Sequence, residues 1–153
     1  MELQSGISGF RDANDPPLPE RDLSVFLSHC HSVARMAGGR FVEIIKGDAS
    51  SFAMAVLEIS DSPVAILLHR HFSVIGLAVP PEKGDTSPLK FIDCDRIADS
   101  LKLIGSDYEL LSRAELERAI HEDDLRHLSP AEMKELRYWR PARVGDIVFN
   151  FWD

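Results

Sequence analysis

RFVEIIKGDASSFAMAVLEISDSPVAILLHRHFSVIGLAV, residues 40–79, decides the fold. Its apolar runs RFVEIIK, SFAMAVLEI and VAILL are rich in Val, Ile and Phe, and the breaks GDAS and SDSP are turn formers. β-branched and aromatic residues suit a pleated, half-buried surface, so the stretch predicts an antiparallel meander. Residues 64–79 would make one strand about three times the usual 5 or 6 residues. A break is therefore expected near His69 to Phe72, or a bulge at Gly76. PPEKGDTSP then reads as an exposed loop and LKFIDC as a further short strand.

Outward from the meander the period changes. Upstream, Leu23, Phe26, Leu27, Cys30, Ala34 and Ala37 recur at three- and four-residue spacing before Gly38-Gly39, which predicts an amphipathic helix with a glycine stop. Downstream, DRIADSLKLIG places Ile97, Leu101 and Ile104 on one helical face. SRAELERAI and SPAEMKEL each carry a capping box, Ser112 with Glu115 and Ser129 with Glu132, the second with Pro130 at the first helical position. After Pro141 the ending VGDIVFNFW alternates, with Ile147, Phe149 and Phe151 on one face, and predicts a terminal strand returning to the sheet. Residues 1–19, rich in Gly, Ser, Asp and Pro, read as a flexible N-terminal arm outside the core. The expected fold is a single α+β domain over residues 20–153. An N-terminal helix packs on a mostly antiparallel sheet, with late helices and a C-terminal strand returning to the sheet.

A chain of 153 residues can bury about 70% of the surface its unfolded form exposes, so no metal or disulfide staple is needed. The formal charge of −8, from 25 acidic against 17 basic side chains, repels phosphate backbones and anionic membranes and excludes nucleic acid as the expected partner. Cys30 and Cys94 form no CxxC pair and read as buried thiols of a reducing compartment. The first residues show no basic stretch followed by an apolar run, and no apolar run has the length of a membrane span, so the expected location is cytoplasmic.

No GxSxG, GxxxxGK[ST], GxGxxG or HExxH occurs, which removes the entry motifs of several enzyme classes. His69 and His71 in HRH share a strand face and could chelate one metal, but a site needs further ligands that the sequence does not place beside them. The simpler reading is a polar strand end, so no metal and no cofactor are expected. His29 and His31 in HCH diverge on a helix, leaving Cys30 without a base one turn away and best read as a packed core thiol. Asp93 and Asp95 in IDCDR are read as helix-start capping rather than as a cation site. HEDD contributes Glu122, Asp123 and Asp124, an acidic link that could face a basic partner.

The C-terminal third carries a resemblance. LSRAELERAI, a short acidic and polar link, and ELRYWRPARVGDIVFNFWD together resemble the ends of small bacterial immunity proteins encoded beside polymorphic or contact-dependent toxins. The resemblance spans roughly residues 106–153 and rests on Trp139, Pro141, Gly145, Asp146, Phe149, Asn150, Trp152 and Asp153. It implies a non-enzymatic inhibitor that binds and neutralises a cognate toxin, and the chain itself is expected to be a monomer or weak homodimer. A basic toxin domain would suit the acidic composition. Toxin-binding residues vary in such families, so none is carried over. Glu122, Asp123, Asp124 and the aromatic Tyr138 are expected contacts because hot spots favour aromatic anchors and charge complementarity. The alternatives are a secretion chaperone holding an extended effector segment, and a small metal-dependent enzyme using the His69/His71 strand.

Overall fold

A computed structural model describes residues 2–47 and 50–152. Asp48 and Ala49 of the first predicted turn, Met1 of the arm and Asp153 of the ending lie outside the described residues.

Helix α1, Leu23–Met36, starts where the Asp22 carboxylate accepts the Ser24 N–H at 2.9 Å, and it buries Phe26, Cys30, Val33 and Ala34. The meander follows as β1 (Arg40–Lys46), β2 (Phe52–Ile59), β3 (Ser62–His69) and β4 (Val74–Ala78), each pair antiparallel. β2 and β3 are joined at Ser60 and Asp61, both at positive φ (52° and 64°). Such a two-residue turn matches the twist of the strands it connects. The break between β3 and β4 falls at residues 70–73, within the expected span. Then come α2 (Asp95–Leu103), β5 (Glu109–Leu110), α3 (Arg113–Glu117), a 3-10 turn (Glu122–Leu125), α4 (Pro130–Trp139) and α5 (Val144–Val148). β5 adds in parallel to β4, giving the order β1-β2-β3-β4-β5. The fold is an α+β single domain with its N-terminal helix on a mostly antiparallel sheet.

Strands β2, β3 and β4 are buried on both faces, which is why they read as nearly continuous apolar runs rather than alternating ones, whereas β1 is largely exposed. Ala55, Leu57, Ile66, Leu68 and Ile75 face α1 and α2. Met54, Val56, Ala65 and Leu67 face a second core built by α3, α5 and the N-terminal segment.

Three expectations are corrected. First, VGDIVFNFW is not a strand: Val144–Val148 is a helix, and residues 149–152 belong to no strand. Val144, Ile147 and Val148 stand at i, i+3 and i+4, so a helix buries them as one stripe, and all three are fully buried. At its start the Asp146 carboxylate accepts the Arg143 N–H at 3.1 Å. The segment still reaches the sheet end, since the Ser51 N–H donates to the Asn150 carbonyl at 3.1 Å. Second, LKFIDC supplies one bridge, Ala78 to Phe91, not a strand. Third, the segment expected outside the core enters it, with Leu3 and Ile7 buried in the second core.

That segment is held by polar side chains from late in the chain. Both Glu132 oxygens accept: Oε1 from the Gly6 N–H (2.7 Å) and the Ser129 N–H (3.1 Å), and Oε2 from the Ser8 N–H (3.1 Å) and hydroxyl (2.6 Å). The Asn150 amide donates to the Ser8 carbonyl at 2.8 Å. Glu132 is fully buried, so its burial is tolerated only because these donors replace water.

Candidate interaction surface

Helix α4 sets the position of the aromatic residues. Its Ser129–Glu132 capping box and Pro130 fix the start, and Arg140 ends it in the left-handed conformation (φ 50°). The last turn therefore carries Tyr138 and Trp139 outward, and they are 76% and 40% exposed. Trp152 arrives from the terminal segment and lies parallel to Trp139, ring centroids 6.2 Å apart with 2° between planes. Tyr138 meets Trp139 edge-on at 5.1 Å, and Phe10 leans on Trp152 at 6.3 Å. The Trp139 indole N–H donates to Glu135 at 3.1 Å, which fixes its rotamer. The result is an aromatic ladder drawn from three separate parts of the chain. A cleft of about 320 Å³ opens beside it, lined by Trp139, Phe151 and Trp152 together with Thr86 and Pro88.

Two glycines make this arrangement possible. Gly145 sits against the Phe91 ring and the Leu116 carbonyl oxygen, which a Cβ would approach to 2.9 Å, and Gly76 gives the Phe149 ring its place. Any side chain at Gly145 would displace α5 and with it the terminal segment that carries Trp152.

The acidic link divides. Asp124 is buried (4% exposed) and receives both Arg118 guanidinium nitrogens at 2.8 and 2.9 Å, together with the His121 N–H at 2.7 Å. The Arg118 contacts hold its carboxyl down at about 2, well below the usual carboxylate range. Asp124 therefore fastens the link and offers a partner little surface. Asp123 is exposed and paired with Arg126 at 3.1 Å. Glu122 is exposed, and no ion pair joins it among the described residues. The link is thus largely charge-balanced. Of the four expected contacts, Tyr138 and Glu122 are the most available. Trp139, Trp152 and Phe10 were missed as members of the same surface, because their proximity is set by tertiary packing.

HRH is divided too. His69 is fully buried; its Nε2–H donates to the Ile7 carbonyl at 2.6 Å, and its Nδ1 accepts the N–H groups of His71 (3.0 Å) and Phe72 (3.3 Å). Both of its nitrogens are taken by backbone, which removes His69 as a ligand. His71 turns away to the Pro19 carbonyl at 2.8 Å. Among the described residues no three His, Cys, Asp or Glu side chains come close enough to hold a metal ion.

Burial lowers the His69 pKa to about 4, with a smaller push in the same direction from His71 and an opposing pull from the Ile7 carbonyl. The folded value lies below the unfolded one of about 6.5. Between those values the unfolded chain binds the extra proton, so stability is fully present above pH 6.5 and falls as pH drops toward 4. The shift corresponds to about 3 kcal/mol over that window. Urea melts of the parent and His69→Gln between pH 7.5 and 4 should show a loss in the parent that the variant lacks. Parallel curves would remove His69 as the cause.

The HCH residues diverge as helix geometry requires. The His29 Nδ1 lies 2.9 Å from the Tyr108 hydroxyl, whereas the His31 ring packs on Phe41 at 4.3 Å. Burial pushes the Cys30 thiol between them up to about 12, far from thiolate chemistry. Asp93 does cap, but a different helix from the one expected: it accepts the Arg113 N–H at the start of α3 (2.8 Å), while Cys94 precedes α2 without a side-chain cap. No helix among the described residues is long and apolar enough to cross a membrane. Comparison with protein families, curated proteins and solved structures gave no match.

Proposed function

We propose that this protein is a non-enzymatic binding domain that captures a basic protein partner, in the manner of the immunity proteins its C-terminal third resembles. The observation that carries the reading is the ladder: two indoles and a phenol held in fixed orientation at the surface, with Tyr138 76% exposed. Large aromatic anchors of this kind dominate binding energy in protein interfaces, because they bury much area while losing little side-chain freedom. Net charge and ladder divide the work. The charge of −8 accelerates encounter with a cationic partner and is sensitive to salt, whereas the aromatics set how slowly the complex dissociates.

The test is capture from a native extract by the tagged full chain, at low and high salt, beside Tyr138→Ala/Trp139→Ala. One stoichiometric basic partner is expected, retained less at high salt and weakened at least about tenfold in the variant, since a hot-spot truncation costs about 2 kcal/mol or more. The variant must keep the parent melt, a condition its exposed positions favour. If nothing basic is captured, or if capture ignores both salt and variant, the reading is wrong.

A further inference from the structure

We propose that the cleft between the N-terminal segment and the β4–β5 edge receives an arginine side chain of the basic partner. This deepens the partner reading and rests on it. The cleft is about 420 Å³, within the ~300–1,000 Å³ typical of ligand sites. The apolar part of its lining is Leu3 and Ile7 from the N-terminal segment, Phe72 and Val74 at the entry to β4, Leu111 after β5, and Val148 from α5, with Gln4 and Ser73 beside them. The charged groups that line it are all of one sign, Glu2, Asp107 and Glu109, and no Lys, Arg or His is among its walls.

The three carboxylates are not equally committed. Glu2 already meets Arg126 at 3.4 Å and His127 at 2.9 Å. Asp107 receives the Ser73 hydroxyl at 3.4 Å, whose oxygen in turn takes the Arg21 guanidinium, and no ion pair joins it among the described residues. Glu109 is exposed on the edge strand, and no ion pair joins it among the described residues. A free anion would meet uncompensated like charge here, and a purely apolar plug would cover Asp107 and Glu109 without pairing them. An arginine satisfies both demands: its three-carbon stem lies on the apolar wall, and its weakly hydrated planar fork accommodates two carboxylates. Among the described residues no further strand pairs with the outer side of β5.

The probe is pentylguanidinium, which carries an alkyl stem and the arginine head group, titrated into the full-length protein with backbone amide NMR as readout. Hexanoate is the control of similar length and opposite charge. Pentylguanidinium is expected to give saturable shifts concentrated at Leu3, Gln4, Val74, Glu109 and Leu111, with none from hexanoate. Asp107→Asn/Glu109→Gln keeps the shape and removes the charge, and should weaken the guanidinium at least tenfold with an unchanged melt. Absence of saturation, equal shifts from hexanoate, equal shifts at distant acids such as Asp61 and Glu115, or undiminished binding in the variant would each overturn the proposal. Tyr138→Ala/Trp139→Ala should leave pentylguanidinium binding intact. Failure of the parent chain to capture a basic partner while its cleft still titrates therefore indicts the partner reading alone, while a silent cleft beside intact capture by the parent indicts this proposal alone.

Discussion

Glu132→Ala should lower the stability of the domain by about 3–5 kcal/mol, because it leaves several buried donors without their acceptor. The physical cause is the set of donors left behind. The Gly6, Ser8 and Ser129 N–H groups and the Ser8 hydroxyl all converge on this carboxylate. Each buried donor without an acceptor costs about 1–3 kcal/mol, relieved only as far as water can enter. Water enters if the N-terminal segment lifts away, but lifting exposes Leu3 and Ile7, which are 1% and 5% exposed in the fold. The domain therefore loses on either route. Glu132→Gln keeps the shape and one carbonyl acceptor but turns an NH₂ toward groups that also donate, so its loss should be real and smaller. Urea denaturation measures both, and amide exchange at Gly6 and Ser8 tells the routes apart, since both amides should exchange quickly in the alanine variant. A midpoint shift worth less than about 1 kcal/mol would mean that the carboxylate does not hold the segment.

Deleting residues 146–153 should abolish the cooperative melt. The deletion removes Ile147, Val148 and Phe149, which are 0%, 0% and 2% exposed. Each such side chain contributes about 1.5–3 kcal/mol by burial, and a whole domain holds only about 5–15 kcal/mol. Two polar ties go as well: the Ser51 hydroxyl donates to the Val148 carbonyl at 2.8 Å and accepts the Asn150 N–H at 3.0 Å. Phe149→Ala, at about 3–5 kcal/mol, is the graded version, because its ring packs edge-on against Phe52 at 5.8 Å and fills the space above Gly76. Calorimetry or circular dichroism on the truncated chain decides the matter. A sharp transition within a few degrees of the parent would show that the second core closes without its terminal segment.

The aromatic ladder was partly legible. Tyr138 and Trp139 could be placed near the end of a helix from the Ser129–Glu132 box and Pro141, and Tyr138 was expected to be exposed. Their conjunction with Trp152 and Phe10 was not, because stacking between residues 139 and 152 depends on a five-residue helix and a left-handed Arg140 between them. The acidic link illustrates the opposite error. In print Glu122, Asp123 and Asp124 are equivalent carboxylates, yet Arg118 folds back onto one of them and buries it.

Local signals settled much of this protein. The apolar runs and turn formers of residues 40–79 fixed the meander and its break, and helix spacing with capping residues located α1, α2 and α4, because strand and helix periods and caps are properties of a few adjacent residues. Only the tertiary structure decided which of two compatible periods the terminal residues adopt, since Val144, Ile147 and Val148 suit a helix while Ile147, Phe149 and Phe151 suit a strand. The space Gly145 leaves for Phe91 favours the helix. Likewise, only the fold placed the N-terminal segment in the core, for its acceptors and donors lie far along the chain, at His69, Glu132 and Asn150. A Gly- and Ser-rich segment has little structure of its own, and what orders it is a set of distant polar partners that no local window contains.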